Sequence, residues 1–163
     1  MPHSHRFALV VAVASLVLMV ATTVHAGGGS CYWHSKKDRA LAKKTNTARA
    51  NAGIRKLSLD PHLSRVARRQ AGAMAKKQAL YHTPSLGSLV TRWRSLAENV
   101  GFARSVRRVH RAFMASAPHR ANILKSAYRF VGVGVRKADG YVWVAVVFES
   151  RRNPGTTLKM PSC

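Results

Sequence analysis

The chain has 163 residues, with 28 Lys and Arg against 5 Asp and Glu, for a formal net charge of +23. That length fits one domain able to bury a core without several covalent staples, and two cysteines exclude a disulfide-dense scaffold. The charge is silent about fold, but it predicts attraction to polyanions: nucleic acid, anionic lipid, or acidic cell-wall and glycan polymers.

Taken in chain order, the first element is a leader. Arg6 is followed by an uncharged apolar run from Phe7 to Ala21, then by Val24-His25-Ala26 before three glycines. This is the charged, apolar and small-residue pattern of a cleavable secretory signal over 1–26. An N-terminal membrane anchor is the alternative, since Thr22 to Val24 lengthen the uncharged segment towards the ~20 residues of a spanning helix. Export leaves a product of charge +22 once Arg6 departs, which predicts a secreted, extracellular protein and sets nucleic acid low among its partners.

Residues 27–40 form a lead in which Cys31, Tyr32 and Trp33 follow the glycines, and the aromatics are expected to pack back on the body. In an oxidising compartment Cys31 and Cys163 are expected to close an end-to-end disulfide, with free or intermolecular thiols as the alternative.

The body spans 41–150. Lys36 to Ala52, rich in Ala, Lys, Leu and Arg, predicts a helix ending near Gly53. Asp60-Pro61 predicts the capped start of a second, with Leu63, Val66, Ala67, Gln70 and Met74 on one face and Arg65, Arg68, Arg69 and Lys76 on the other. The segment from Tyr81 to Ala97, with Trp93, reads as a surface loop. A third helix is expected from Ser105 to Ala115, with Val106, Val109, His110 and Phe113 inward and Arg104, Arg107, Arg108 and Arg111 outward. Pro118 should end it, with a turn of helix over Arg120 to Leu124, and His110 is expected to be a core histidine satisfied by a hydrogen bond.

Phe130 to Ala138 and Tyr141 to Glu149 flank Asp139-Gly140 and predict an antiparallel hairpin, with a further strand supplied from Leu96 to Phe102. Residues 151–163 read as an irregular basic tail ending in Cys163. Helices first and a hairpin last predict an α+β fold, helices packed on an antiparallel sheet.

By residue type the candidates for chemistry are His82, Glu98, Ser116 and His119, and no local spacing makes a metal, phosphate-loop or nucleophile-elbow motif of them. Several pieces in order do carry a resemblance: Asn46-x-x-Arg49, Leu57-x-Leu59-Asp60-x-x-Leu63, Leu80-Tyr81-His82, Ala97-Glu98-Asn99-Val100-Gly101, Met114-x-Ser116-x-x-His119-Arg120-x-Asn122-Ile123-Leu124, and Val131-Gly132-Val133-Gly134-Val135. Over 41–150 the chain resembles the CAP superfamily, the SCP-like extracellular domains, in a short bacterial form.

The resemblance implies an α-β-α sandwich with a central antiparallel sheet and a cleft of two His and two acidic residues. His82, His119 and Glu98 match three of those four positions; Ser116 stands where many members carry the second Glu, and Thr45 where many have a His. The implied function is a non-catalytic binding module for lipids, sterol or fatty-acid-like ligands, or surface polymers, acting as a monomer.

The cleft is His82, Glu98, Asn99, Ser116 and His119, with no cofactor required. His82, His119 and Glu98 could hold Zn or another divalent cation weakly, because durable zinc sites need more protein ligands. The alternative is a secreted hydrolase or protease-like enzyme using Ser116, His119 and Glu98, since a serine three residues from a histidine can meet it on one helical turn, or using a bound metal. A polyanion surface is expected on Arg65, Arg68, Arg69, Arg104, Arg107, Arg108 and Arg111, because few acidic neighbours cancel their field.

Overall fold

The computed structural model describes residues 31–162. The expected signal segment 1–26, the glycines that follow it, and the proposed partner of Cys31 at Cys163 lie outside the described residues.

In chain order the elements are α1 (Lys36–Asn51), β1 (Ser58–Leu59), α2 (Pro61–Lys77), α3 (Leu86–Leu89), β2 (Val90–Thr91), β3 (Leu96–Ala103), α4 (Val106–Ala115), α5 (Ala117–Leu124), β4 (Phe130–Ala138), β5 (Tyr141–Glu149) and β6 (Gly155–Thr156). The main sheet has the order β1-β4-β5-β3, with β4, β5 and β3 antiparallel and the short β1 parallel to β4. The hairpin turns at Asp139-Gly140, both with positive φ, as a tight two-residue turn requires.

Alternation along β5 decides the layers. Val142, Val144, Val146 and Phe148 join Val131, Val133 and Val135 in a core with Leu41 of α1, Val109 and Phe113 of α4 and Ile123 of α5. Trp143, Ala145 and Val147 face the other way, onto Leu63, Val66, Ala67 and Met74 of α2. The result is the α-β-α sandwich, α2 on one face and α1, α4 and α5 on the other. Gly132 and Gly134 make the α2 contact close: a Cβ on either would come within 2.2 Å of the α2 backbone, at Leu63 and Arg68 respectively.

Beyond its two residues of pairing with β1, the outer edge of β4 is finished by side chains. Ser64 Oγ accepts from the Val133 amide at 3.0 Å, and Asp38 Oδ1 accepts from the Val135 amide at 3.0 Å. Asp38 also completes a capping box with Ser35 at the start of α1 and pairs with Arg68 at 2.6 Å. One buried carboxylate thus joins both helical layers to the sheet.

Several expectations change. The 81–97 segment is not a plain loop, because α3 and β2 interrupt it and Val90 is buried. Pro118 lies in the first turn of α5, where its missing N–H costs nothing, so it starts a helix as well as following one. The tail is not wholly irregular, since β6 pairs with β2. Of the two lead aromatics, Tyr32 packs inward and donates to Ser64 O at 2.8 Å, whereas Trp33 is 80% exposed. His110 is half-buried rather than fully in the core, with a backbone hydrogen bond at Lys44, while its Nε2 has no hydrogen-bond partner among the described residues.

Candidate functional site

The site begins on β3, where Glu98 and Asn99 are buried side by side in sequence. Glu98 turns to the segment after α2: its Oε2 accepts from the Thr83 amide at 2.8 Å and lies 2.9 Å from His82 Nδ1, and its Oε1 accepts from the Thr83 hydroxyl at 2.5 Å. A buried carboxylate taking that many donors is held in one rotamer. The His82 ring itself stays exposed, so Glu98 fixes Nδ1 and leaves Nε2 to solvent.

Asn99 turns the other way. Its Nδ2 donates to His119 O at 3.0 Å, and its Oδ1 accepts from Asn122 Nδ2 at 2.9 Å, which ties α5 to β3. His119 Nδ1 lies 2.9 Å from Ser116 Oγ, and its ring leans on Phe113 at 5.0 Å between centroids. Burial, and then the nearby charge of His82, lower the His119 pKa below its ordinary value, so its imidazole is neutral near pH 7.

The structure therefore brings together His82 with Glu98, and Ser116 with His119, and sets the two histidines near each other. It does not assemble Ser116, His119 and Glu98 into one relay, because both Glu98 oxygens are spent on His82 and Thr83. In this arrangement Glu98 orients the His82 ring through Nδ1. Among the described residues no group of three or more His, Cys, Asp and Glu is placed to hold a metal ion. Thr83, with two of the donors to Glu98, is the participant that sequence reasoning passed over; its place beside His82 was the only signal.

The arginines divide as well. Arg69, Arg104, Arg107, Arg108 and Arg111 are exposed, with Arg104 over the Tyr141 ring at 5.3 Å. Arg68 is committed to Asp38 and lies over the Tyr32 ring at 4.4 Å, and Arg65 Nε donates to Lys159 O at 3.1 Å, so both serve the fold first. A separate concavity of about 500 Å³ opens between α1 and α4, lined by Ala40, Lys44, Ala48 and His110 among others, and does not include the His82 and His119 cluster.

The acidic residues complete the electrostatics. Asp38, Glu98 and Glu149 are buried, Asp60 caps α2 by accepting from the Leu63 amide at 2.8 Å, and only Asp139 at the hairpin tip is exposed. The surface is thus cationic almost without interruption.

Comparison with known proteins gives a model of the cysteine-rich secretory protein (CAP) family that matches residues 42–148. Protein YkwD of Bacillus subtilis (strain 168), itself uncharacterized, is 29% identical over 118 residues, which are 67% of this chain and 46% of that protein. The chain spans about half the length of that curated relative. Among solved structures, an outer surface protein of Borrelia burgdorferi aligns with a TM-score of 0.62 at 19% identity, covering 76% of this chain and 99% of that one. An extracellular SCP-domain protein of Bacillus anthracis also aligns at 0.62 and 19% identity, over 71% of this chain and 40% of its own. At such identities these two likenesses show the fold. No helix among the described residues is long and apolar enough to cross a membrane.

Proposed function

Because the chain belongs to the CAP, or cysteine-rich secretory protein, family, we propose that it is a secreted, non-catalytic binding module that adheres to anionic polymers outside the cell. One observation carries the reading: four of the five carboxylates are drawn into the fold as caps, pairs or buried groups, so almost nothing on the surface offsets the exposed arginines. An uncancelled field of this kind raises local concentration and on-rate for polyanions.

The test is retention on an immobilised acidic polysaccharide across a salt series, with phosphatidylglycerol vesicles as the lipid arm. Affinity should fall steadily with salt, and the triple change Arg107→Gln, Arg108→Gln, Arg111→Gln should weaken it about tenfold or more, at ~1 kcal/mol per basic residue near an anionic surface. Absence of binding at low salt overturns the reading; binding to vesicles alone replaces the polymer with a membrane.

A second reading is favoured by the fixed Nδ1 atoms of both histidines. With Nδ1 held by Glu98 in one and by Ser116 in the other, each Nε2 is left to a divalent cation, and His119 is already neutral. Two imidazoles fit a weak, exchangeable Zn²⁺ or similar ion and not a durable one, which takes three or four protein ligands. Zn²⁺ should raise the melting temperature of the wild type and of neither His82→Ala nor His119→Ala; an unmoved wild type ends this reading.

A further inference from the structure

At the end of the sheet formed by β1 and the strand termini, a pocket of about 240 Å³ is lined by Arg55, Lys56, Ser58, Arg129, Phe130, Ser150 and Arg152. Four of these seven are cations and none is an acid, so the lining carries a formal charge of +4. The lining polar atoms suit an anion too. Ser150 Oγ is buried and has no hydrogen-bond partner among the described residues.

Behind the lining lie one buried cation, Arg49, and one buried carboxylate, Glu149, the cross-strand partner of Phe130, whose Oε2 has no hydrogen-bond partner among the described residues. Arg49, fully buried, donates Nε to Arg55 O at 2.8 Å and Nη1 to Ile123 O and Lys125 O at 2.8 and 2.9 Å. Its partners are carbonyls and not a carboxylate, and the charge of Arg129 reaches it. Glu149, next to Ser150, is buried and accepts from the Arg94 amide at 2.9 Å, and it is not part of the pocket lining.

We propose that this pocket is a receptor for a phosphate group, held by the guanidinium groups of Arg55, Arg129 and Arg152 and the ammonium of Lys56, with the Ser58 and Ser150 hydroxyls as further donors. Guanidinium forks match the geometry of a phosphate in pairs, which a smooth basic surface does not provide. Arg129 is pre-positioned, because its Nη1 donates to Ser126 O at 2.7 Å and so holds the side chain in place. The site is apart from the His82 and His119 cleft and from the α4 arginines, and it stands or falls without the polymer reading.

The experiment is titration of the full chain with inorganic phosphate at constant ionic strength, followed by amide shifts, with chloride as the reference anion. Saturable binding is expected, with the largest shifts at residues 55–58, 129–130 and 150–152. The exposed pair Lys56→Gln with Arg152→Gln should weaken it about tenfold, the cost of one or two charge-assisted hydrogen bonds. Arg107→Gln with Arg111→Gln should leave it within about twofold, since screened charges outside the pocket act weakly. Equal losses in the two pairs, or shifts that do not saturate, overturn the proposal by reducing it to the general field.

Vesicles containing phosphatidic acid, set against phosphatidylcholine alone, identify the source of the group. Vesicle binding that the Lys56 and Arg152 changes abolish assigns a lipid headgroup, and vesicle binding indifferent to them assigns a soluble phosphate. If polysaccharide retention fails while phosphate saturates, the polymer reading falls and the pocket stands.

Discussion

Arg49 shows how much one residue can organise. Four backbone carbonyls, of Arg55, Ile123, Lys125 and Tyr128, converge on a guanidinium that is 0% exposed, two of them in the last turn of α5 or just beyond it. Burial lowers its pKa from the ordinary value, yet arginine stays charged at any accessible pH. Arg49→Met would leave those carbonyls buried without donors. We expect a loss of about 3 kcal/mol or more in urea unfolding, and Arg49→Lys should recover only part of it because an ammonium cannot span the fork. Asn46, one turn earlier, works the same way, exchanging both of its amide bonds with the Leu57 backbone at 2.8 and 2.9 Å.

At the scale of elements, the tight seam between α2 and β4 makes a sharper prediction. Gly134→Ala would place a methyl 2.2 Å from Arg68 N, where the obstacle is helix backbone and cannot swing aside. The helix must lift, so we expect destabilisation of about 3 kcal/mol in urea unfolding. Gly140→Ala meets no atom within 4 Å but sits at φ +76, so its cost is backbone strain of about 1 kcal/mol and measures a different effect. These two glycines also show what was legible in the sequence. Asp139-Gly140 announced its hairpin through turn chemistry that acts over neighbouring residues, and Asp60-Pro61 announced α2 in the same way.

The elements that escaped sequence reading depend on distant partners. Val90 and Thr91 become a strand only because Thr156 and Gly155 return to pair with them. The site divides along the same line: His82, Glu98, Ser116 and His119 were visible as residue types, but that Glu98 would turn to Thr83 and away from Ser116 follows from where β3 lies against the segment after α2. No local pattern encodes that choice.

For the whole molecule, acidity is the revealing variable. Burial lowers the pKa of His34, His110 and His119 below the unfolded value of 6.5, so the unfolded chain binds more protons than the folded one as pH falls through that value. Stability is therefore full above about 6.5 and declines on acidification below it. Melting temperature should drop between about pH 7 and pH 5, and the slope should lessen in His34→Gln with His119→Gln; an unchanged slope would trace the acid sensitivity elsewhere. Lys and Arg keep their charge throughout this range, so binding to a polyanion should persist until the fold itself gives way.

A polycation that coats a polyanion is crowded against its own copies, and crowding turns any open strand edge into a template for fibrous self-association. On the β4 side the inward-drawn Ser64 and Asp38 have already claimed the Val133 and Val135 amides, so an arriving strand finds neither of those donors free. Asp38 is thus also a guard against that failure, and its replacement by Ala would reopen the edge where surface capture makes the molecules most concentrated.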